Sequence, residues 1–297
     1  MNFWWNLFGK RLVVATHNGS FHADEIFACA ALSLWVEKTG KRIKIIRTRD
    51  EHLIQKADFV VDVGMKYDPA TNRFDHHQKG GAGEHPNSIP YASFGLVWKH
   101  YGSLVCGSKE VAQMVEEKLV IPIDARDNGM NITKVLREDV PEYSLIKELV
   151  YAFRPDFFEF LKFAKTLLRK EIRLCCDVIA GEKWVKEQIE KQNTPEFLVL
   201  EKKVFWDKVV SRIKNIKLVI CPEEDVNAWC AETTRDNLAD YESYRSIFPS
   251  EWRGLRNEEL MEISGVKDAL FCHKAGFFAV AKSKEGAIEM AKRALQR

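Results

Sequence analysis

The sequence predicts an α/β fold, with a mostly parallel sheet flanked by helices, followed by a smaller α+β domain. In the first half, short apolar or β-branched runs at 11–16, 43–47 and 59–61 alternate with helical patterns. Such continuous apolar runs are typical of strands that are buried on both faces. Beyond Pro195 the pattern changes to four short strands and a final amphipathic helix at 284–295.

Polar residues occupy the ends of the first elements. The first strand ends at the turn-rich stretch that begins with His17, and the next helix begins at His22 and Asp24. The third strand runs directly into Asp62, which is followed by Val63-Gly64. We therefore expect His22 and Asp24 at a helix N-terminus and Asp62 at the end of a strand.

Further helical patterns divide the rest of the chain. A helix is predicted at 108–119, and the pattern at 155–192 indicates one long helix or a broken pair. Asn193-Thr194-Pro195 ends that pattern and marks the predicted domain junction. The predicted parts are an N-terminal extension at 1–10, a first domain at 11–155, a helical connector at 156–194 and a C-terminal domain at 195–297.

Composition limits the classes of partner and compartment. The formal net charge is +2, so binding of a polyanion would have to come from local clusters of charge. The seven cysteines show no Cys-x-x-Cys spacing and are predicted to be free thiols in a reducing compartment. No segment has the length of an apolar membrane span, and the aromatic N-terminus lacks signal-peptide features. We expect a cytoplasmic protein whose N-terminal aromatic residues pack against its body; contact of these residues with a membrane or a partner chain is the alternative.

The first half also contains many side chains of metal-ligand type. Carboxylates and imidazoles without thiolates suit Mn²⁺, Mg²⁺, Fe²⁺ or Zn²⁺ in an oxygen-rich site. Two such ions can hold the attacking hydroxide and the departing oxygen of a phosphoryl displacement, and one carboxylate must bridge them. Asp62, alone at its strand end, is the expected bridge. The ligand-type residues are His17, His22, Asp24, Asp62, Asp75, His76, His77, Asp124 and Asp127.

Each of these residues also has a structural interpretation. Asp24 alone is typical of a helix cap, and Asp62-Val63-Gly64 alone is typical of a turn after a strand. Asp75-His76-His77, however, fits neither a core pattern nor an amphipathic one. If each residue had only its structural role, ligand-type residues would have to occur by coincidence at four separate strand or helix ends. The whole set therefore favours a metal centre.

Several motifs resemble the melanocyte-proliferating-gene exonuclease family, a branch of the DHH phosphoesterase superfamily. The resemblance covers almost the whole chain after the first ten residues. Its N-terminal motifs are Thr16-His17-Asn18-Gly19-Ser20-Phe21-His22-Ala23-Asp24-Glu25, Asp62-Val63-Gly64, Phe74-Asp75-His76-His77-Gln78, Pro90-Tyr91-Ala92-Ser93-Phe94-Gly95-Leu96-Val97-Trp98 and Ile123-Asp124-Ala125-Arg126-Asp127-Asn128-Gly129. Its C-terminal motifs are Pro249-Ser250-Glu251-Trp252-Arg253-Gly254-Leu255, Ile263-Ser264-Gly265 and Phe271-Cys272-His273-Lys274-Ala275-Gly276-Phe277.

The resemblance implies a DHH-type metal-binding catalytic domain at 11–155 and a ligand set within it. His22-Ala23-Asp24 stands where DHH proteins usually have Asp-x-Asp, so a histidine replaces one carboxylate. His17 and His22 would bind the first metal, Asp24 and His76 the second, and Asp62 both. Either Asp127 or Asp124 would complete the set; Asp127 is preferred because Asp127-Asn128-Gly129 resembles the Asp-Thr-Gly of related enzymes. Two Mn²⁺ ions are expected, with Mg²⁺ as the alternative.

The same resemblance implies roles in substrate binding. Asp75 would orient a histidine, and His77 would contact the substrate phosphate or act as a general acid. The domain at 195–297 would clamp the substrate chain over the metals, with phosphate contacts from Arg245, Arg253, His273 and Lys274. The alternative is that these four residues are ordinary surface charges.

The function expected from these features is a metal-dependent 3′–5′ exonuclease on single-stranded nucleic acid, with RNA favoured over DNA. Two other functions remain open: hydrolysis of small phosphoesters such as dinucleotides or pyrophosphate, and a non-enzymatic metal-binding regulatory role. The second domain would distinguish the first two functions, and the sequence leaves the oligomeric state open.

Overall fold

The computed structural model describes residues 11–133, 139, 145–193, 196–240 and 242–296, which form two compact units. The first unit extends to Cys176 and the second begins at Asp177. This division falls inside the range predicted as a helical connector. The N-terminal residues 1–10, and Thr194 and Pro195 of the predicted junction, lie outside the described residues.

The first unit is built on a five-stranded sheet with the order β2-β1-β3-β5-β4. The pairs β1–β2, β1–β3 and β3–β5 are parallel, and only the short β4 is antiparallel to its neighbour β5 among these strands. The strands are β1 (Leu12–Thr16), β2 (Ile43–Arg47), β3 (Phe59–Val61), β4 (Tyr67–Asp68) and β5 (Arg73–Phe74). The helices are α1 (Ala23–Lys38), α2 (Glu51–Lys56), α3 (Ser93–Cys106), α4 (Lys109–Val115), α5 (Ile121–Asp127) and α6 (Leu145–Phe153); α7 (Phe157–Lys191) begins in this unit and ends in the second.

Helix α1 is central to the core of this unit. Its residues from Asp24 to Leu34 are all buried, because the helix packs against both the sheet and α3. An almost wholly apolar helix is expected in such a position. Phe27 of α1 meets Phe94 of α3 with ring centroids 5.6 Å apart. The contact brings together the N-terminal parts of both helices, which carry polar residues toward the sheet edge.

Parallel pairing places the carboxyl ends of three strands at the same edge of the sheet. His17 follows β1, Asp62 follows β3, and Asp75 and His76 follow β5. Asp62 has a φ of 55°, in the left-handed region that non-glycine residues rarely adopt. Strained backbone of this kind is concentrated at functional sites.

The second unit contains a five-stranded sheet with the order β6-β7-β8-β10-β9. β6 and β7 are parallel, and the other pairs are antiparallel. Alternate residues of β7 enter the cores on opposite faces of the sheet, as the two-residue period of a strand requires. The elements are β6 (Phe197–Val199), α8 (Asp207–Val210), β7 (Leu218–Glu223), β8 (Ala228–Thr233), α9 (Asn257–Ser264), β9 (Ala269–Cys272), β10 (Phe278–Ala281) and α10 (Lys284–Leu295).

The mixed α/β character of both units agrees with the sequence prediction, and the pattern at 155–192 forms one long helix, α7. Across the described ranges, no helix combines the length and the apolar character that crossing a membrane would require.

Candidate metal centre

Seven of the predicted ligand-type residues come together at the carboxyl edge of the first sheet. Together with Glu25, these residues form three overlapping groups, and within each group the potential ligand atoms lie within 4.8 Å of one another. The groups are His17, His22, Glu25 and Asp62; Asp62, His76 and His77; and His22, Asp24 and Asp127.

The carboxylate of Asp62 lies between the imidazoles of His17 and His76, which follow different strands. Its Oδ2 is 3.2 Å from Nε2 of His17, while its Oδ1 is 3.4 Å from Nε2 of His76. The hydroxyl of Ser93, at the start of α3, also donates to Oδ1 at 3.1 Å. Burial alone would raise the pKa of Asp62, but His17 and His76 hold it well below its usual range. The two carboxylate oxygens therefore face different potential ligands, as a bridging carboxylate would.

Glu25 belongs to this centre but was not predicted from the sequence. Its carboxylate is fully buried, lies 3.1 Å from Nε2 of His17 and accepts hydrogen bonds from the backbone N–H of His22. Burial opposes protonation of His17, yet Asp62 and Glu25 raise its pKa to about 10. The sequence does contain a signal for this contact: Glu25 lies three residues after His22, the N-cap of α1, and a glutamate at that position is typical of a capping box.

Asp24 is buried among other carboxylates of the site. Asp24 is fully buried; its Oδ2 accepts a hydrogen bond from the Ser93 backbone at 3.3 Å. Burial, together with the nearby carboxylates of Asp62 and Asp127, raises the pKa of Asp24 well above its usual range.

Two buried atoms in the site have no hydrogen-bond partner in the described part of the chain: Oδ1 of Asp24 and Nε2 of His76. Nε2 of His76 lies 3.2 Å from Oδ2 of Asp127 but without the geometry of a hydrogen bond. Buried carboxylates and imidazole lone pairs without partners are costly, and a divalent cation would satisfy both. The residues present therefore fit a metal centre.

Asp75 and His77 form a separate pair at the edge of this centre. Asp75 is buried, and its Oδ1 lies 2.8 Å from Nδ1 of His77 while accepting the His77 backbone N–H at 3.0 Å. Its Oδ2 accepts the backbone N–H of Met65 at 2.6 Å. The side chain of His77 is 53% exposed, so its other ring nitrogen can reach a substrate. This arrangement is compatible with the expectation that Asp75 orients a histidine.

Asp124, one of the two predicted alternatives for the last ligand, lies outside the ligand groups. Its buried carboxylate accepts the backbone N–H of Gly95 at 3.0 Å and contacts Nε2 of His85 at 2.9 Å. Nδ1 of His85 in turn lies 3.0 Å from Oε1 of Glu116. Burial raises the pKa of Asp124 to about 6 despite its contact with His85. Asp127, and not Asp124, belongs to one of the ligand groups, so the geometry favours Asp127 as the last ligand, and that assignment stays a prediction.

The contact between Asp124 and α3 depends on a glycine. A Cβ atom at Gly95 would lie 1.8 Å from Oδ2 of Asp124 and 2.7 Å from Cδ1 of Tyr91. His85 was not predicted from the sequence. Nothing near it in the chain indicates its partners, which lie 31 and 39 residues further on.

In the second unit, Arg245 has a structural role instead of the predicted phosphate contact. Its guanidinium pairs with Asp236 at 2.8 Å, and its side chain is only 5% exposed. Its other donors bind four backbone carbonyls, those of Val210, Ser211, Ile213 and Ile216. These contacts do not favour the predicted phosphate contact of Arg245, because buried carbonyls use donors that a phosphate would need.

The other three predicted substrate residues keep more accessible groups. Arg253 donates from Nε to the carbonyl of Phe248 at 2.9 Å and remains partly exposed. The ring of His273 packs against Phe277, with centroids 4.4 Å apart, and Nδ1 accepts a backbone N–H. Lys274 is exposed.

Comparison with known proteins identifies the family. A profile named MYG1 exonuclease and described as an uncharacterised protein family (UPF0160) matches residues 13–295. The MYG1 protein of Dictyostelium discoideum is 29% identical over 320 residues, covering 94% of this chain and 95% of the relative. The MYG1 protein of Chlamydia trachomatis is 30% identical over 292 residues, with coverage of 93% and 94%. The human MYG1 exonuclease is 29% identical over 327 residues, with coverage of 95% and 85%.

A solved structure of RecJ in complex with Mn²⁺ from Thermus thermophilus aligns with 95% of this chain at 14% identity and a TM-score of 0.30. This chain spans about half of that protein, 51%. So low a TM-score supports no conclusion about fold or mechanism. The relatives and the family profile, in contrast, cover nearly the whole chain and confirm the resemblance in its sequence motifs. The chain belongs to the MYG1 exonuclease family.

Proposed function

We propose that this protein is a metal-dependent phosphodiesterase that acts as an exonuclease on single-stranded nucleic acid. The observation that carries the proposal is the position of Asp62, whose two carboxylate oxygens face imidazoles on opposite sides. The name of the human relative, MYG1 exonuclease, supports the reaction class. The finer part of the proposal is the trimming of RNA from a 3′ end, and this rests on the family resemblance alone.

The donor set supports a site for two divalent ions, with Mn²⁺ as the expected metal. By the family resemblance, His17, His22 and Asp62 would hold one ion, and Asp62, Asp24, His76 and Asp127 would hold the other; all of these residues belong to the three ligand groups. Divalent ions at such a site activate water and neutralise charge on the phosphoryl group. The mixture of imidazoles and carboxylates favours Mn²⁺ over Mg²⁺.

The chain's own residues would prepare this site for the reaction. The backbone carbonyl of Asn18 lies 3.1 Å from Nδ1 of His17 and would orient the imidazole so that Nε2, beside Glu25, faces the metal. Asp75 holds Nδ1 of His77, which leaves Nε2 to contact a phosphate oxygen or to donate a proton to the leaving oxygen. In the second unit, Arg253, His273 and Lys274 remain the proposed contacts to the substrate chain.

The proposal is tested with end-labelled RNA and DNA oligonucleotides of graded length, assayed beside dinucleotides and pyrophosphate with Mn²⁺ or Mg²⁺. We expect stepwise shortening of the oligonucleotides from one end. Efficient hydrolysis of dinucleotides or pyrophosphate, with no shortening of longer strands, would contradict the exonuclease proposal and favour the small-phosphoester function.

Three variants separate metal binding from substrate contact. Asp62→Asn should abolish turnover and lower the metal content, because Asp62 is the only carboxylate among the described residues that belongs to two of the ligand groups. His77→Asn should keep its metal and lose about 10²–10⁴-fold in rate. His52→Asn, at an exposed histidine of α2, is the matched control and should change neither quantity. Full metal content in Asp62→Asn would refute the bridging role.

A further inference from the structure

A cavity of about 230 Å³ adjoins the metal centre within the first unit. We call it the α6 pocket, because α6 supplies one wall through Lys147, Val150 and Tyr151. His22 and Asp127 of the metal centre form another wall, so whatever fills the pocket lies next to the metals. No function has been assigned to this pocket so far.

The aromatic ring of Tyr151 has two cationic side chains next to it, those of Lys147 and Arg154. Its side chain is 53% exposed. The guanidinium of Arg154 lies 4.9 Å from the ring centroid, and Nζ of Lys147 lies 5.9 Å from it. A single exposed tyrosine is ordinary on a protein surface. A tyrosine flanked by two cations beside a candidate metal centre combines the groups with which proteins bind single-stranded nucleic acids.

Arg154 has an unused donor on the pocket wall. Its Nη2 donates to the carbonyl of Phe21 at 2.8 Å, which fixes the guanidinium in position. Its Nε is buried and has no hydrogen-bond partner among the described residues. A buried donor of this kind requires an acceptor, and a phosphate oxygen is a suitable one for a guanidinium.

The charge of the pocket also favours an anion. The described residues that line it include three cations, Arg126, Lys147 and Arg154, against one acid, Asp127, which belongs to the proposed metal ligands. The remaining wall is mainly apolar, with Ile123 and Val150 among its members. An apolar wall, an aromatic face and a local excess of cations match a ligand that has a flat base and a phosphate.

We propose that the α6 pocket binds the terminal nucleotide of the substrate strand, the one attached to the scissile phosphate. The base stacks on Tyr151, and the backbone phosphates contact Lys147 and Arg154. Stacking on an aromatic ring tolerates every base, so the pocket selects a strand end without selecting its sequence. This inference rests on the proposed exonuclease function and assigns its substrate-end subsite to the first unit.

The decisive experiment compares two oligonucleotides that differ only in the base of the terminal nucleotide, one normal and one abasic. For the wild-type protein, loss of this base should lower kcat/KM by about 5- to 150-fold, because stacking of a base on an aromatic ring contributes about 1–3 kcal/mol to binding. Tyr151→Ala should show the same loss on the normal substrate and no further loss on the abasic one. Phe158→Ala, at another exposed aromatic residue that does not line the pocket, should keep full discrimination between the substrates.

A second variant tests the phosphate contact. Lys147→Gln should reduce the salt dependence of oligonucleotide binding by a log–log slope of about 0.7, as loss of one contact to a single strand predicts. If wild-type protein shortens oligonucleotides but Tyr151→Ala lowers kcat/KM equally on both substrates, the pocket assignment is wrong and the exonuclease function stands. An unchanged salt slope in Lys147→Gln would likewise overturn the phosphate contact. If the wild-type protein shortens neither oligonucleotide, the proposed function itself fails.

Discussion

Replacing Asp24 with asparagine should have opposite effects on stability with and without metal. The Asp24 carboxylate is fully buried, its Oδ1 has no hydrogen-bond partner among the described residues, and the ligand oxygen of Asp127 lies within 4.8 Å. Asparagine has the same shape and keeps an oxygen for the Ser93 backbone N–H. Its amide can also donate to the carboxylates nearby. In the metal-free protein, Asp24→Asn therefore removes a buried charge and adds a donor among acceptors.

The magnitude follows from the cost of an unpartnered buried polar atom, about 1–3 kcal/mol. For a unit of this size each kcal/mol corresponds to about 2–4 °C in Tm. We therefore expect Asp24→Asn to raise the Tm of the metal-free protein by at least ~2 °C. With Mn²⁺ at 1,000 times its Kd, the wild-type protein gains about 4.1 kcal/mol, which exceeds the advantage of the variant without metal. Loss of a ligand should remove most of that gain, so the order of stability reverses.

The assay is thermal unfolding of both proteins in EDTA and across a Mn²⁺ titration, with Asp225→Asn as a control at an exposed aspartate of the second unit. The control should not change the order of stability under either condition. A lower Tm for Asp24→Asn in EDTA would refute the claim that its carboxylate is destabilising without metal. An equal Mn²⁺-induced rise in Tm for variant and wild type would show that Asp24 is not a ligand.

Two further predictions concern residues outside the metal centre. Arg245→Met should lower the free energy of unfolding by roughly 3 kcal/mol, because four carbonyls lose a charged donor. Lys274→Met should leave the free energy of unfolding unchanged and weaken oligonucleotide binding. The reverse pattern in chemical denaturation and binding assays would favour Arg245 as a phosphate contact. His85 is buried, which opposes its protonation, but contacts with Asp124 and Glu116 raise its pKa to about 9. Its stabilising effect is therefore complete below the unfolded-state pKa of about 6.5 and is lost as pH rises to about 9, a change of at most about 3 kcal/mol. The difference in unfolding free energy between wild type and His85→Gln should shrink over that interval, and a constant difference would contradict the ion pair.

Much of the candidate site could be predicted from the sequence because its residues are tied to strand and helix ends. Apolar runs predict where β1 and β3 end, and His17 and Asp62 follow at once. Parallel pairing then brings those ends to one edge, so the local pattern also predicts that the side chains are neighbours. The motif Asp75-His76-His77 follows β5 in the same way.

The choice between Asp124 and Asp127 could be settled only by tertiary structure. The two residues are three positions apart in α5, so both lie on nearly the same side of the helix and both are plausible ligands. What separates them is distant in sequence: His85 and the backbone of Gly95 engage Asp124, while His76 approaches Asp127. No local pattern encodes those partners.

The sequence by itself determined the α/β character of this protein, its family and most of the residues that meet at the candidate metal centre, because periodicity and motifs are local properties of the chain. Tertiary structure alone decided what each long polar side chain does. Arg245 and Arg154 are the same residue type, yet Arg245 donates to buried carbonyls, whereas Arg154 lines a cavity and its Nε has no hydrogen-bond partner among the described residues. A guanidinium reaches several ångströms from its backbone, so its role depends on which acceptors the folded chain places within that distance.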